Sequence, residues 1–193
     1  MSTRQRFSIN VAVFLLVSMS CNNVFATIVE NVALQSKGAI ATAISYGTYN
    51  NDPQYPWKAI DGDNQFGWSS NWDMPAWLMV EFDDVYTIGS VGVWWGSHKH
   101  DYSISLSMDS IDWTTVVGPA ISINEEAGPM LHELFSITPI DAKYIRMDIT
   151  STSAPATHIF QASVQDLEAY TVPEPATLAL LGLGGLFLRK RKS

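Results

Sequence analysis

Between Tyr102 and Ser107 the chain reads Tyr-Ser-Ile-Ser-Leu-Ser, apolar and polar residues in strict alternation. Successive side chains of a β-strand point to opposite faces, so this segment predicts a strand with one apolar and one wet face. The same two-residue period returns in Leu78, Val80 and Phe82, in Val91, Val93 and Trp95, and in Ile145, Met147 and Ile149 within Lys143 to Ile149. Clusters of Gly, Pro, Asn and Asp at 50–56, 61–67 and 127–129 separate such runs and mark turns. No helical period stands between the two end segments, and no internal repeat appears. Short strands divided by turn signals predict an all-β fold, an antiparallel sandwich or barrel.

The two ends carry other patterns. Arg4 and Arg6 precede an apolar run from Val11 to Val17, and Val24-Phe25-Ala26 puts small residues where a signal peptidase expects them. Residues 1–26 therefore read as a secretory signal peptide. The alternative makes Cys21 a lipoprotein attachment site; Ser20 before it is small, but Ser18 stands where such sites usually carry Leu. At the other end, residues 172–193 run Val172-Pro173-Glu174-Pro175, then apolar from Ala176 to Leu188, then Arg189-Lys190-Arg191-Lys192. A helix rising about 1.5 Å per residue over that stretch is near 20 Å long, against roughly 30 Å of bilayer hydrocarbon, so it is a short transmembrane segment with its basic cluster on the cytoplasmic side. This tail resembles a PEP-CTERM sorting signal. The resemblance implies transient anchoring in the inner membrane, cleavage near Pro-Glu-Pro by an exosortase, and release to the cell surface or extracellular matrix. A plain C-terminal anchor is the alternative, and it would need no Pro-Glu-Pro.

Residues 27–171 remain, a length suited to one domain. Removing the ends changes the charge balance, because six of the 11 Lys and Arg lie in them while all 19 Asp and Glu lie between Glu30 and Glu174. The processed chain then carries five basic against 19 acidic residues, a net charge of −14, or −13 without Glu174. Such an excess repels nucleic-acid phosphates and anionic lipid heads, leaving neutral sugars, cations or proteins as partners. The one cysteine, Cys21, lies in the signal, so the domain has no disulfide.

The order of landmarks resembles a known family. Ala59-Ile60-Asp61-Gly62-Asp63, Trp68-Ser69-Ser70, Trp77-Leu78-Met79-Val80-Glu81-Phe82 and Thr87-Ile88 are followed by Tyr102-Ser103-Ile104, Ser107-Met108-Asp109 and Trp113. Ala142-Lys143-Tyr144-Ile145-Arg146 and Asp166-Leu167-Glu168-Ala169-Tyr170 complete the series. Together they look like a discoidin domain, also called the coagulation-factor type C domain, over about 31–170. The resemblance implies a galactose-binding-like β-sandwich or jelly roll whose loops at one end bind ligand. It also makes Trp68, Trp77, Trp95, Tyr102, Trp113 and Tyr144 packing residues.

Many members of that family hold a structural calcium ion. Ca²⁺ takes about six to eight oxygens, which a tight Asp-Gly turn can supply as carbonyls around a carboxylate. The resemblance implies the carboxylates of Asp61 and Glu168 and the main-chain oxygens of Lys58, Asp63, Phe66 and Ala169. Phe66 stands where the family often has Thr or Ser, so only its carbonyl could serve. The alternative reads Asp61-Gly62-Asp63 as an Asp-capped turn, with Glu168 solvated.

Sugar recognition combines an aromatic face with a few planar hydrogen-bonding side chains, drawn from loops. The segment 49–57 offers Asn51, Tyr55 and Trp57, the segment 96–101 offers His98 and His100, and the segment 157–161 offers His158. Catalytic signals are missing: His98 and His100 lack a third zinc ligand nearby, and the pairs Asp83-Asp84 and Glu125-Glu126 point to opposite faces of any strand. The sequence thus predicts an exported, non-enzymatic module that binds carbohydrate, an exopolysaccharide or surface glycan. The alternative is a structural or adhesive matrix protein working through protein contacts.

Overall fold

The computed structural model describes residues 29–96, 99–123, 130–153 and 161–172. Ten strands account for most of them: β1 (Ile40–Ala43), β2 (Thr48–Tyr49), β3 (Asp52–Pro53), β4 (Trp68–Ser69), β5 (Ala76–Trp95), β6 (Lys99–Ser107), β7 (Thr114–Ile121), β8 (Leu131–Ser153), β9 (Ser163–Val164) and β10 (Asp166–Thr171). Short 3₁₀ turns occupy Gln35–Lys37 and Pro56–Ala59. The all-β expectation holds, with every strand pair antiparallel.

Two long strands organise the sandwich. β5 and β8 pair from Ala76↔Ile149 to Trp95↔Leu131, and their register breaks between Glu81 and Tyr86. Before the break, β5 also pairs with β1, and the matching half of β8 pairs with β6, which pairs with β7. After the break, β5 pairs with β10 instead. Alternate residues of both halves enter one core: Leu78, Val80, Phe82, Ile145, Met147 and Ile149 from one, Val91, Val93, Trp95, Leu167 and Ala169 from the other. Each Val, Leu, Ile, Met or Phe side chain so withdrawn from water contributes about 1.5–3 kcal/mol.

This path gives the domain two different ends. The bends of β5 and β8 lie at one, where the chain also enters and leaves: Asn31 bridges Tyr170, Thr171 N donates to Glu30 O, and Val172 N donates to Thr87 O. At the other end lie the start of β5, the close of β5 at Gly96 and the start of β6.

The aromatics assigned to packing divide into two groups. Trp68, Trp95 and Tyr102 are buried in the core. Trp77, Trp113 and Tyr144 are half-buried, and the Arg146 guanidinium lies 5.3 Å from the Trp77 ring centroid and 5.9 Å from that of Trp113. Arg146 Nη2 also donates to Asp148 Oδ1 at 2.6 Å. The stack covers two indole faces that alternation would leave wet, so Arg146→Ala should lower stability by about 1–2 kcal/mol in urea unfolding, with Arg146→Lys recovering only part because it loses the planar fork.

Candidate functional site

The first segment at the open end is built on a hairpin. β2 and β3 are joined by Asn50 and Asn51 at φ 49° and 65°. A two-residue turn of matching twist needs positive φ at both positions, which asparagine tolerates better than other non-glycine residues. The turn leaves Tyr49 65% exposed. Pro56, whose fixed φ suits the first turn of a helix, opens the 3₁₀ turn that carries Trp57, 42% exposed. Tyr46 and Tyr55 pack at 4.6 Å between ring centroids, tilted by 50°.

Hydrogen bonds draw a second segment alongside. Gly47 N donates to Ser69 O at 2.8 Å, Trp68 Nε1 to Ser45 O at 2.7 Å, and Asn71 N to Ser45 Oγ at 3.0 Å. The next residue, Trp72, is held at φ 66° with its ring 52% exposed. Any Cβ at Gly47 would stand 2.9 Å from Ser70 O and 3.0 Å from Gln161 Nε2, so glycine lets segments 45–47, 69–71 and residue 161 meet. The outcome is one end carrying exposed rings of Tyr46, Tyr49, Trp57 and Trp72 among the amides of Asn50, Asn51 and Gln161.

Of the residues expected to bind ligand, the structure brings Asn51, Tyr55 and Trp57 to this end. His100 is a correction: it is not on a loop but in β6, fully buried and stacked on Trp95 at 4.9 Å, with Nε2 accepting from Ser163 N. It stands two residues before Tyr102 and shares that strand's inward phase, a signal already present in the alternation. His98 and His158 lie outside the described residues. Tyr46 and Trp72 were not singled out from sequence; Trp72 sits in Ser-Asn-Trp-Asp-Met-Pro, an aromatic among turn-formers with no period to bury it.

Beneath this end lies a buried acid. Glu133 is on the inward face of β8, where its carboxylate accepts from Trp95 Nε1 and from Tyr102 OH at 3.2 Å. Burial and the Glu133 charge push the Tyr102 hydroxyl pKa well above its usual value, so it stays a donor. The two bonds satisfy a carboxylate that would otherwise be costly to bury.

The residues expected to hold calcium have contacts of their own. Asp61 Oδ1 accepts from Asp63 N at 2.8 Å, a tight turn that turns both residues outward. Glu168 Oε2 lies 2.7 Å from His132 Nε2, Oε1 accepts from Trp94 Nε1 at 3.2 Å, and the Trp94 and His132 rings stack at 4.5 Å. The carbonyl of Ala169 accepts from Val32 N. Lys58 sends Nζ to Asp52, and Phe66 exposes its ring. Asp166, two residues before Glu168 on β10, is buried. It is 4% exposed, its Oδ1 has no hydrogen-bond partner, and burial together with the Glu168, Asp61 and Asp63 charges pushes its pKa up to about 8. The pKa of Asp61, exposed though it is, is raised as well, chiefly by partial desolvation. Among the described residues no three acidic, His or Cys side chains close on one point, so a cation here would need main-chain oxygens, as calcium sites commonly use.

With this geometry established, comparison with known proteins identifies the fold. The family model for the F5/8 type C domain matches residues 40–161. The chain belongs to the F5/8 type C domain family. A second model, the PEP-CTERM protein-sorting motif, matches residues 171–192. Among solved structures, this F5/8 type C chain is similar to chitosan-binding module 1 from a chitosanase/glucanase of Paenibacillus sp. IK-5, at 26% identity and TM-score 0.57 over 73% of this chain and 98% of that one. It is similar to the family 32 carbohydrate-binding module of Clostridium perfringens NanJ, solved with galactose, at 23% identity and TM-score 0.56 over 74% and 99%. It is also similar to truncated AlyQ, which has CBM32 and alginate lyase domains, at 21% identity and TM-score 0.61; there it covers 78% of this chain and about a third, 35%, of that one. The F5/8 type C fold is thus shared with carbohydrate-binding modules.

Proposed function

We propose that this domain is an exported, non-catalytic module that binds a surface or extracellular glycan through segments 45–57, 70–75 and residue 161. The observation that carries the reading is the convergence of Tyr46, Tyr49, Trp57 and Trp72 with Asn50, Asn51 and Gln161 on connecting segments at one end of the sandwich. Exposed aromatic rings cost free energy in water unless a ligand covers them, and pyranose C-H faces do so while amides take the hydroxyls. The relatives support it, since two of them are named for chitosan binding and for a galactose complex.

The acidic group of Asp61, the Asp63 carbonyl and Asp166 would hold a structural Ca²⁺, which would supply the charge that the buried Asp166 carboxylate lacks. The sorting motif supports cleavage by an exosortase after transient membrane anchoring, and delivery to the cell surface or matrix.

Affinity electrophoresis through gels containing single polysaccharides tests the reading. At least one glycan should retard the chain, and Trp72→Ala should weaken that binding about tenfold or more, equivalent to about 1.4 kcal/mol, without lowering the melting temperature. Retardation by no glycan, or equal retardation of the variant, would count against the site.

A further inference from the structure

Hydrogen bonds hold the chain in place up to Val172. Thr171 N donates to Glu30 O at 3.1 Å, Thr171 Oγ1 accepts from Glu30 N at 3.3 Å, and Val172 N donates to Thr87 O at 3.0 Å. Val172 also has a seat on β5. Both ladders of that strand pass over Gly89: the pairing steps from Ser90 to Ile88 against β10 and again against β8. A Cβ at Gly89 would stand 2.6 Å from Val172 Cγ1 and 3.5 Å from Val172 Cα, so the missing side chain is what lets Val172 close on the bulge. Pairing cannot run further, because the next residue, Pro173, has no N–H to give to a ladder.

The sorting motif matches residues 171–192, so its first two residues, Thr171 and Val172, are hydrogen-bonded into the sandwich. A protease cuts most readily where the chain is exposed and unpaired, and residues in an intact strand reach it only when that strand opens. We propose that the seat of Val172 over Gly89 is the boundary of processing: the exosortase cut falls C-terminal to Val172, and Gly89 is the positioning residue that keeps it there. Hydrolysis at that point breaks one peptide bond, water giving its hydroxyl to the new carboxyl of the domain and its hydrogen to the new amine of the tail. The released domain keeps both bonds between Thr171 and Glu30, so its first and last segments stay joined. This inference rests on the processing reading above, and goes beyond it in naming the residues of the fold that limit where the tail is parted.

In cells that make the chain and its exosortase, the intact mass of the released protein reads the cut, and its last residue should be Val172 or one beyond it. The seat is read separately, by amide hydrogen exchange of the full chain in detergent solution. Val172→Gly empties the seat without crowding Gly89, and should speed exchange at the Thr171 amide about tenfold or more while the amides of Val91 and Val93 keep their protection. Its released product should be ragged, with ends inside β10. A wild-type product ending at Thr171 or earlier would overturn the inference and leave the processing reading standing. Unchanged exchange at Thr171 in Val172→Gly, or a variant product with the same single end as the wild type, would do the same. A chain that is never shortened in those cells would overturn both.

Discussion

Heated in calcium-free buffer, the chain is expected to melt at progressively lower temperature as the pH rises from about 5 to about 8. The direction follows from Asp166. In the unfolded chain this carboxyl ionises near its ordinary value of 3.8, whereas in the folded domain it keeps its proton up to about pH 8. Between those values the folded state binds more protons than the unfolded state, so stability falls as pH rises, with a slope of at most about 1.4 kcal/mol per pH unit for one proton. In the proposed site calcium would supply the missing positive charge, so adding it should remove the decline and raise the melting temperature most at the alkaline side. Asp166→Asn should flatten the calcium-free profile and abolish the calcium response, whereas Glu168→Gln should disturb the Trp94–His132 contact and leave the calcium response in place. A calcium response unchanged by Asp166→Asn would return the assignment to Glu168.

Gly67→Ala should be the most damaging single methyl in the domain. A Cβ at Gly67 would stand 2.0 Å from Val164 O and 2.4 Å from Gln165 Cα, and both are backbone atoms that cannot swing aside. The clash would prise β4 from β9, where Trp68 faces Val164, and with it the bond from Ser70 N to Ala162 O that ties the aromatic segments together. Overpacking of this kind costs roughly 3 kcal/mol or more when backbone must move. Gly62 provides the control: its φ is 80°, but an added Cβ would meet only Leu34 Cδ2 at 3.4 Å, so Gly62→Ala should cost about 1 kcal/mol from backbone strain. Urea unfolding of the two variants separates these effects, and equal losses would contradict the close approach of β4 to β9.

Much of the fold was legible because burial in a sandwich follows a period of two. Leu78, Val80 and Phe82, Val91, Val93 and Trp95, and Ile145, Met147 and Ile149 are all buried as the alternation requires. The first half of β8 was not legible, since its polarity is inverted: Glu133 is buried against Trp95 and Tyr102, while Leu134 next to it is 57% exposed. The local sequence contains neither of the donors that make an inward glutamate tolerable. The same cause hid the burial of Asp166. Asp166 and Glu168 share one face of β10, and only the cross-strand partners Trp94 and His132 decide which of them is engaged. In the site, Asn51, Tyr55 and Trp57 could be read from turn-forming neighbours, but Tyr46 and Trp72 join them through Ser45, whose hydrogen bonds to Trp68 and Asn71 span 23 and 26 residues.

The central claim is that ligand is received by the aromatic end of the sandwich and not by its faces or its bends. Amide and indole resonances of the isotopically labelled chain, followed while a bound oligosaccharide is titrated in, test it most directly. Shifts should concentrate at Tyr46, Asn51, Trp57, Trp72 and Gln161. Shifts confined to the bends near Asp83 and Asp141, or to the outer face around Trp77 and Arg146, would contradict the account.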